Sequence, residues 1–222
     1  MNSTVTATNM KVKVKTTHHL QIKEALEGTY GEEVDFDDTA TAYVPTSCDN
    51  TNETLKWYKV KNYTGISYTE GTYHVDNTRF EEASAGDYYK KSVKIKSVSA
   101  DAGNLVALFN VTGDDEHAVS PSLRVMLVYG ASVKYIYTPT GVRDSYKAIK
   151  NLKEVDKAEE GETIVVSGDT SVLISELTAD QEYTIDIYIW YEGQDTAACQ
   201  SENMEAGATT GLTVGISFVV DD

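Results

Sequence analysis

The fold that this sequence predicts is an all-β, two-sheet sandwich of the jelly-roll type, formed by residues 1–222 as a single domain. Three segments, 10–22, 183–191 and 212–220, alternate apolar and polar residues with period two, the pattern of half-buried strands. Tyr occurs 15 times and Val, Ile and Thr are abundant, which favours strands. Helical periodicity is weak, and many strands without helical crossovers indicate two packed sheets.

Segment 10–22 has the clearest alternation in the chain. Its odd positions include Lys11, Lys13 and Lys15, which predicts a basic, solvated face. We expect its even positions to form the buried face: Met10, Val12, Val14, Thr16, His18, Leu20 and Ile22. Such a strand either completes the sheet of another copy or pairs as an edge strand in its own subunit, and the residues leave both arrangements open.

The other strands follow along the chain. We expect them at 55–60, 93–98, 105–109, 123–129, 133–137, 163–166, 172–174, 183–191 and 212–220. Short helical insertions are expected at 79–89 and 144–150, and the polar stretches 29–52 and 62–87 are expected to be loops or insertions. No repeat or linker divides the chain.

Charge and hydropathy exclude several function classes. The formal charge is −16 and the sequence pI is about 4.6. Such an acidic surface repels phosphate backbones and anionic lipids, so we expect no nucleic-acid partner and no membrane binding. No apolar run approaches the roughly 18 residues of a membrane span, so we expect no membrane insertion. If the protein is exported, this form lacks its signal peptide.

No catalytic motif is recognisable, and we expect a protein that is not an enzyme and has no cofactor. The chain contains no CxxC pair, no HExxH and no GxSxG, the signatures of common zinc sites and serine hydrolases. Two acidic sets, one at 114–116 and one formed by Asp35, Asp37 and Asp38, are expected on solvated loops. Calcium could bind there, although the EF-hand spacing is missing.

Two cysteines occur, Cys48 and Cys199. One disulfide between them is possible in an oxidising compartment. Two cysteines do not define a disulfide framework, however, so the sequence leaves their pairing open.

Segment 183–195 carries more information than a strand pattern. It reads YTIDIYIWYEGQD, and Cys199 follows shortly after. The strand ends in a turn of the type Trp-x-Glu-Gly-x-Asp, formed by Trp190, Glu192, Gly193 and Asp195. Together with TATN at 6–9 and SLRV at 122–125, this segment resembles the C-terminal signature of the TasA/camelysin family. These are exported biofilm-matrix fibre proteins, often found with a SipW-type signal peptidase.

The resemblance implies an extracellular jelly-roll subunit that polymerises into a biofilm-matrix fibre or a pilus. In such fibres the N-terminal strand of one subunit completes the sheet of the next, which makes residues 1–22 the candidate donor strand and copies of the chain the expected partners. The turn motif would serve structure. Some relatives are described as metallopeptidases, but this sequence offers no ligand set for that activity.

An alternative function is that of a monomeric surface adhesin or carbohydrate-binding module. Aromatic side chains line many ligand sites, and the candidate surface here is formed by Trp57, Tyr58, Tyr63, Tyr68 and Tyr73. No motif identifies a host or matrix glycan as the ligand. A module of this kind would stay monomeric, whereas a fibre subunit would form long polymers.

Overall fold

The structure is a computed structural model of the chain. It describes residues 5–16, 19–43, 46–49, 55–60, 68–69, 72–73, 80–113, 119, 123–130, 132–137, 163–165, 172–192 and 212–221. The regular secondary structure of these described residues consists of strands, so the all-β prediction is confirmed. The same residues contain no helix long and apolar enough to cross a membrane.

Fifteen strands lie in the described residues. In chain order they are β1 (Val5–Thr16), β2 (Leu20–Glu24), β3 (Glu33–Tyr43), β4 (Thr46–Asp49), β5 (Lys56–Val60), β6 (Tyr68–Thr69), β7 (Thr72–Tyr73), β8 (Phe80–Glu82), β9 (Tyr89–Ser97), β10 (Asn104–Thr112), β11 (Leu123–Tyr129), β12 (Ser132–Tyr137), β13 (Thr163–Val165), β14 (Tyr183–Tyr191) and β15 (Thr213–Asp221).

These strands form two large sheets and two small ones. Sheet A has the order β10-β15-β1-β3, and sheet B has the order β13-β12-β11-β14-β9-β2. Sheet C has the order β4-β5-β8, and sheet D is the hairpin β6-β7. Among the described pairs, β1 with β15 is parallel and the others are antiparallel. The parallel pair departs from the antiparallel pairing of a jelly roll.

Sheets A and B pack face to face around the main core. Alternate residues of each strand point into it, as the period-two patterns predict. Val12 and Ile216 of sheet A and Ile95, Leu127 and Ile187 of sheet B belong to this core and are fully buried. The predicted sandwich of two sheets is therefore confirmed.

Sheet C adds a third layer on the outer face of sheet B. A second core lies between them and is separate from the main core. Its buried members are Cys48 and Trp57 of sheet C and Met126, Val128, Ile136, Tyr188 and Trp190 of sheet B. Sheet B is consequently covered on both faces where sheet C lies.

The segment 10–22, predicted as one strand, is two strands in different sheets. β1 ends at Thr16 in sheet A, and β2 begins at Leu20 in sheet B. The prediction of one continuous strand is therefore wrong. The described even positions are nevertheless buried, because β1 and β2 face the same core from opposite sides.

The stretches 29–52 and 62–87, predicted as loops, contain β3, β4 and β6 to β8, so that prediction is wrong for their described parts. The helix expected at 79–89 is replaced by β8 and the start of β9, and 144–150 lies outside the described residues. The strand expected at 172–174 is reduced to a bridge between Ile174 and Leu105. Polar segments of this kind form strands here because their strand neighbours, not their own apolar content, stabilise them.

Candidate assembly interface

β1 is an inner strand of sheet A, held between β15 and β3. The register places Lys11 opposite Thr213 of β15. The amide of Lys11 donates to the Leu212 carbonyl oxygen at 2.9 Å, and the amide of Thr16 donates to the Glu32 carbonyl oxygen at 2.8 Å. Within a single chain β1 thus pairs with its own subunit, on both edges and not as the edge strand that the sequence suggests.

The candidate donor residues divide between the two sheets. On the inner face of β1 lie Met10, Val12, Val14 and Thr16, all buried. On β2 in sheet B lie Leu20 and Ile22, which are buried in the same core. His18 lies outside the described residues. A strand that leaves sheet A therefore carries the first group and leaves the second group in place.

The outer face of β1 carries the lysine row, which we define as Lys11, Lys13 and Lys15. All three side chains are exposed. The antiparallel register with β3 places them opposite the acidic row, which we define as Asp37, Asp35 and Glu33, in that order. These acids, two of which the sequence suggests for a calcium loop, lie on a strand. The available signal in the sequence is their spacing of two, which matches the spacing of the lysines.

The connection between β1 and β2 turns the chain from sheet A into sheet B. The Thr16 hydroxyl donates to the Leu20 carbonyl oxygen at 3.1 Å and lies 3.3 Å from that of Glu32. The His19 carbonyl accepts the Val98 amide at 2.8 Å. Next to the connection lies a cavity of about 370 Å³ lined partly by His19 and Val220. These bonds fix the point at which β1 ends.

The chain beyond β2 is fastened to sheet B by a polar cluster. One Glu182 oxygen accepts from Lys94 Nζ and the other from the Tyr30 hydroxyl, each at 2.7 Å, while Lys23 Nζ lies 3.7 Å away. The hydrogen bonds from Lys94 and Tyr30 lower the pKa of Glu182 to about 2. Burial and the adjoining carboxylate raise the pKa of Tyr30. Because Lys23 is in β2, Lys94 is in β9 and Tyr30 follows β2, this exposed cluster links β2 and the chain after it to β9.

The turn motif joins sheet B to sheet C. Trp190 lies in the second core and Tyr191 in the main core, on opposite faces of β14. Glu192, predicted as part of the turn, is fully buried. Its two oxygens accept from Ser47 Oγ at 2.7 Å and from Trp190 Nε1 at 2.9 Å. Gly193 and Asp195 lie outside the described residues.

Cys48 is fully buried on β4, opposite Trp57 of β5. Cys199 lies outside the described residues, so a disulfide between the two cysteines stays a prediction. Trp57, suggested as part of a sugar-binding surface, is 6% exposed and packs on Tyr88 and Tyr188 with ring-centre distances of 4.1 and 5.3 Å. Its ring therefore serves the second core and is not presented to a ligand.

Metal-binding chemistry has no support in the described part of the chain. No group of three or more His, Cys, Asp or Glu side chains there is placed to hold a metal ion. The acids at 114–116 lie outside that part.

Comparison with protein families, with curated proteins and with solved structures finds no match to this chain. The resemblance to the TasA/camelysin family rests on the sequence motifs alone and stays a prediction.

Proposed function

We propose that the chain is a non-enzymatic, extracellular fibre subunit in which β1 of one copy takes the place of β1 in the sheet A of the next. The observation that carries the proposal is the position of β1. It is hydrogen-bonded on both edges, and a short segment, residues 17–19, joins it to β2, the next strand along the chain. The motifs that resemble fibre proteins support the same reading.

The energetics of exchange follow from the contacts of β1. A copy of β1 from a neighbour would make the same hydrogen bonds with β15 and β3, and would bury the same Met10, Val12 and Val14 side chains. Exchange of identical elements therefore changes few contacts, which is why domain swapping is a low-cost route to association. The balance depends on protein concentration and on the strain of the connection.

The exchanged unit is β1 up to Thr16, which is shorter than the candidate donor segment 1–22. β2 stays behind because it pairs with β9 and is fastened through Glu182. Exchange would break the Thr16 hydroxyl contacts and extend residues 17–19 between two subunits. Because each copy donates to one neighbour and accepts from another, the contact is head-to-tail and propagates as an open filament.

A disulfide that locks β1 to its own sheet tests the proposal. Lys15 and Ser217 are register partners on the outer face of β1 and β15, and neighbouring strands lie about 4.8 Å apart, within reach of a disulfide. The variant carries Lys15→Cys and Ser217→Cys together with Cys199→Ser. When it is oxidised as a monomer, we expect it to form no filaments, and after reduction we expect it to form them. Electron microscopy and sedimentation of concentrated protein measure the difference.

The control is a lock that leaves β1 free. Val106 and Val219 are register partners on β10 and β15, so the Val106→Cys, Val219→Cys variant on the same background links two strands that are not exchanged. We expect it to polymerise when oxidised. Filaments that form equally well with the β1 lock closed would refute strand exchange, and wild-type protein that stays monomeric at all concentrations would refute the fibre itself.

A further inference from the structure

The lysine row and the acidic row form a register of opposite charges across sheet A. Lys13 lies opposite Asp35, and Lys15 lies opposite Glu33, with all four side chains exposed. Lys11 lies opposite Asp37 in the same backbone register. Opposite charges at directly facing positions stabilise an antiparallel pair, and like charges there destabilise it.

The other neighbour of β1, strand β15, has no charged residue opposite the lysine row. The residues of β15 opposite the lysine row are Thr213, Gly215 and Ser217. β15 therefore supplies backbone hydrogen bonds to any strand that fits, whereas β3 presents the charges. Selection by charge at this position in sheet A depends on the acidic row.

The inner face of β1 discriminates poorly between strands. Met10, Val12 and Val14 are apolar residues at a spacing of two, and β10 and β15 present similar apolar rows to the main core, for example Val111 and Val214. Alternation alone would thus admit several strands of this chain. Specific pairing then requires a feature that penalises the wrong strand.

Net charge makes that feature more important. Two copies that each carry −16 repel each other, and the residues 5–16 of β1 contain three lysines and no acid. Local attraction between the basic β1 of one copy and the acidic row of another favours encounters in which these two strands meet over encounters between other parts of the two surfaces. In the described sheet order β3 is the outer strand of sheet A, and outer strands tend to pair with copies of themselves. A second acidic row would be repelled there.

We propose that the acidic row of β3 is the specificity-determining element of assembly, and that it accepts the lysine row of β1 from a second copy while rejecting strands without it. The proposal rests on the strand exchange proposed above. It assigns the choice of partner strand to the opposite charges at three facing register positions of β1 and β3, and it leaves the strength of the contact to the inner face and the backbone.

Reversal of all six charges gives the sharpest test. The variant with Lys11, Lys13 and Lys15 changed to Glu and with Glu33, Asp35 and Asp37 changed to Lys has the same formal net charge of −16 and restores opposite charges within each chain. We expect it to fold and to form filaments by itself. Mixed with wild type, it should form separate filaments, with mixed contacts reduced at least about tenfold because like charges face each other at every mixed junction.

Two fluorescent labels, one on each protein, distinguish segregated from mixed filaments by light microscopy. If six changes prevent folding, a version with a single reversed pair, Lys13→Glu with Asp35→Lys, takes its place. It should also prefer its own copies over wild type in filaments, with a smaller difference between the two. Filaments that mix at random, while the oxidised β1 lock still blocks assembly, would overturn the charge selection and leave strand exchange standing. Filaments that form despite the lock would overturn strand exchange instead.

Discussion

The outer faces of the two large sheets differ in what covers them. Sheet B carries sheet C over β11 and β14, and β11 is buried at every position from Leu123 to Val128. Sheet A has an outer face on which β1 exposes the lysine row between buried residues. A strand in the middle of sheet B is therefore held by two cores, and a strand of sheet A is held by one.

In the proposed assembly, this difference separates the part of the molecule that stays in place from the strand that is exchanged. Removal of β14 would open both cores, whereas removal of β1 opens the main core alone. The empty position is still costly, because burial of Met10, Val12 and Val14 is worth about 1.5–3 kcal/mol for each side chain. Exchange is thus expected to be replacement of one β1 by another, with little of the open form present.

The largest effect that tests the comparison is expected at Trp190. Its side chain is 1% exposed and meets Trp57 edge-on at a ring-centre distance of 5.2 Å. Trp190→Ala should lower the free energy of unfolding by about 3–5 kcal/mol, because a large cavity opens in the second core. Urea denaturation followed by circular dichroism measures the loss.

The matched control lies on the outer face of sheet A. Lys13→Ala removes an exposed side chain there that faces Asp35, and it should alter stability by no more than about 1 kcal/mol. Comparable losses for the two variants would show that sheet C does not protect sheet B, and the contrast between the faces would be lost.

A smaller effect is expected at the buried carboxylate. Glu192→Gln keeps one carbonyl acceptor but cannot accept from both Ser47 and Trp190. The amide can turn its oxygen towards the Trp190 indole and its N–H towards Ser47 Oγ, so two hydrogen bonds to a carboxylate become weaker bonds to an amide, which should reduce the free energy of unfolding by about 1–3 kcal/mol. The exposed change Glu176→Gln serves as the control in the same denaturation experiment, and an equal, small effect at both positions would contradict the buried role of Glu192.

Glu192 also shows where prediction from sequence ends. The alternation at 183–191 predicts β14 with its bounds, and it places Trp190 and Tyr191 on opposite faces. It cannot reveal that the next residue is buried, because the hydroxyl that binds it belongs to Ser47, 145 residues away. The acid resembles an ordinary turn residue until its partners are known.

The same limit applies to β1. Period two specifies which residues of a strand share a face, but it specifies neither the neighbouring strands nor where the chain changes sheets. The lysine row and the acidic row have the same spacing of two in the sequence, which is a hint that β1 pairs with β3. The parallel pairing of β1 with β15 has no such local signal. Sheet C is only partly visible in the sequence, since the strand expected at 55–60 is β5, whereas β4 and β8 are too short to show a period.

The smallest effect is expected at Gly215, on the outer face of sheet A. Substitutions on this face are expected to cost little, and Gly215 is an exception because its backbone lies close to β10. A Cβ atom there would lie 2.9 Å from the Asn110 carbonyl oxygen, closer than van der Waals contact allows. Gly215→Ala should therefore lower the free energy of unfolding by about 1–2 kcal/mol, since overpacking outweighs the gain from removing a flexible glycine. Thermal and urea unfolding of the monomer measure it.

Ser217→Ala is the control two residues along the same strand and face, where the change removes an atom and adds no contact. We expect near-wild-type stability for that variant. If Gly215→Ala is equally neutral, β15 can move away from β10 to make room for the added methyl group. The spacing between β10, β15 and β1 is then adjustable at this position. A measured loss at Gly215 alone would instead show that β10 and β15 cannot move apart, so that in the proposed exchange the β1 of a second copy would have to pair with β15 in its present position.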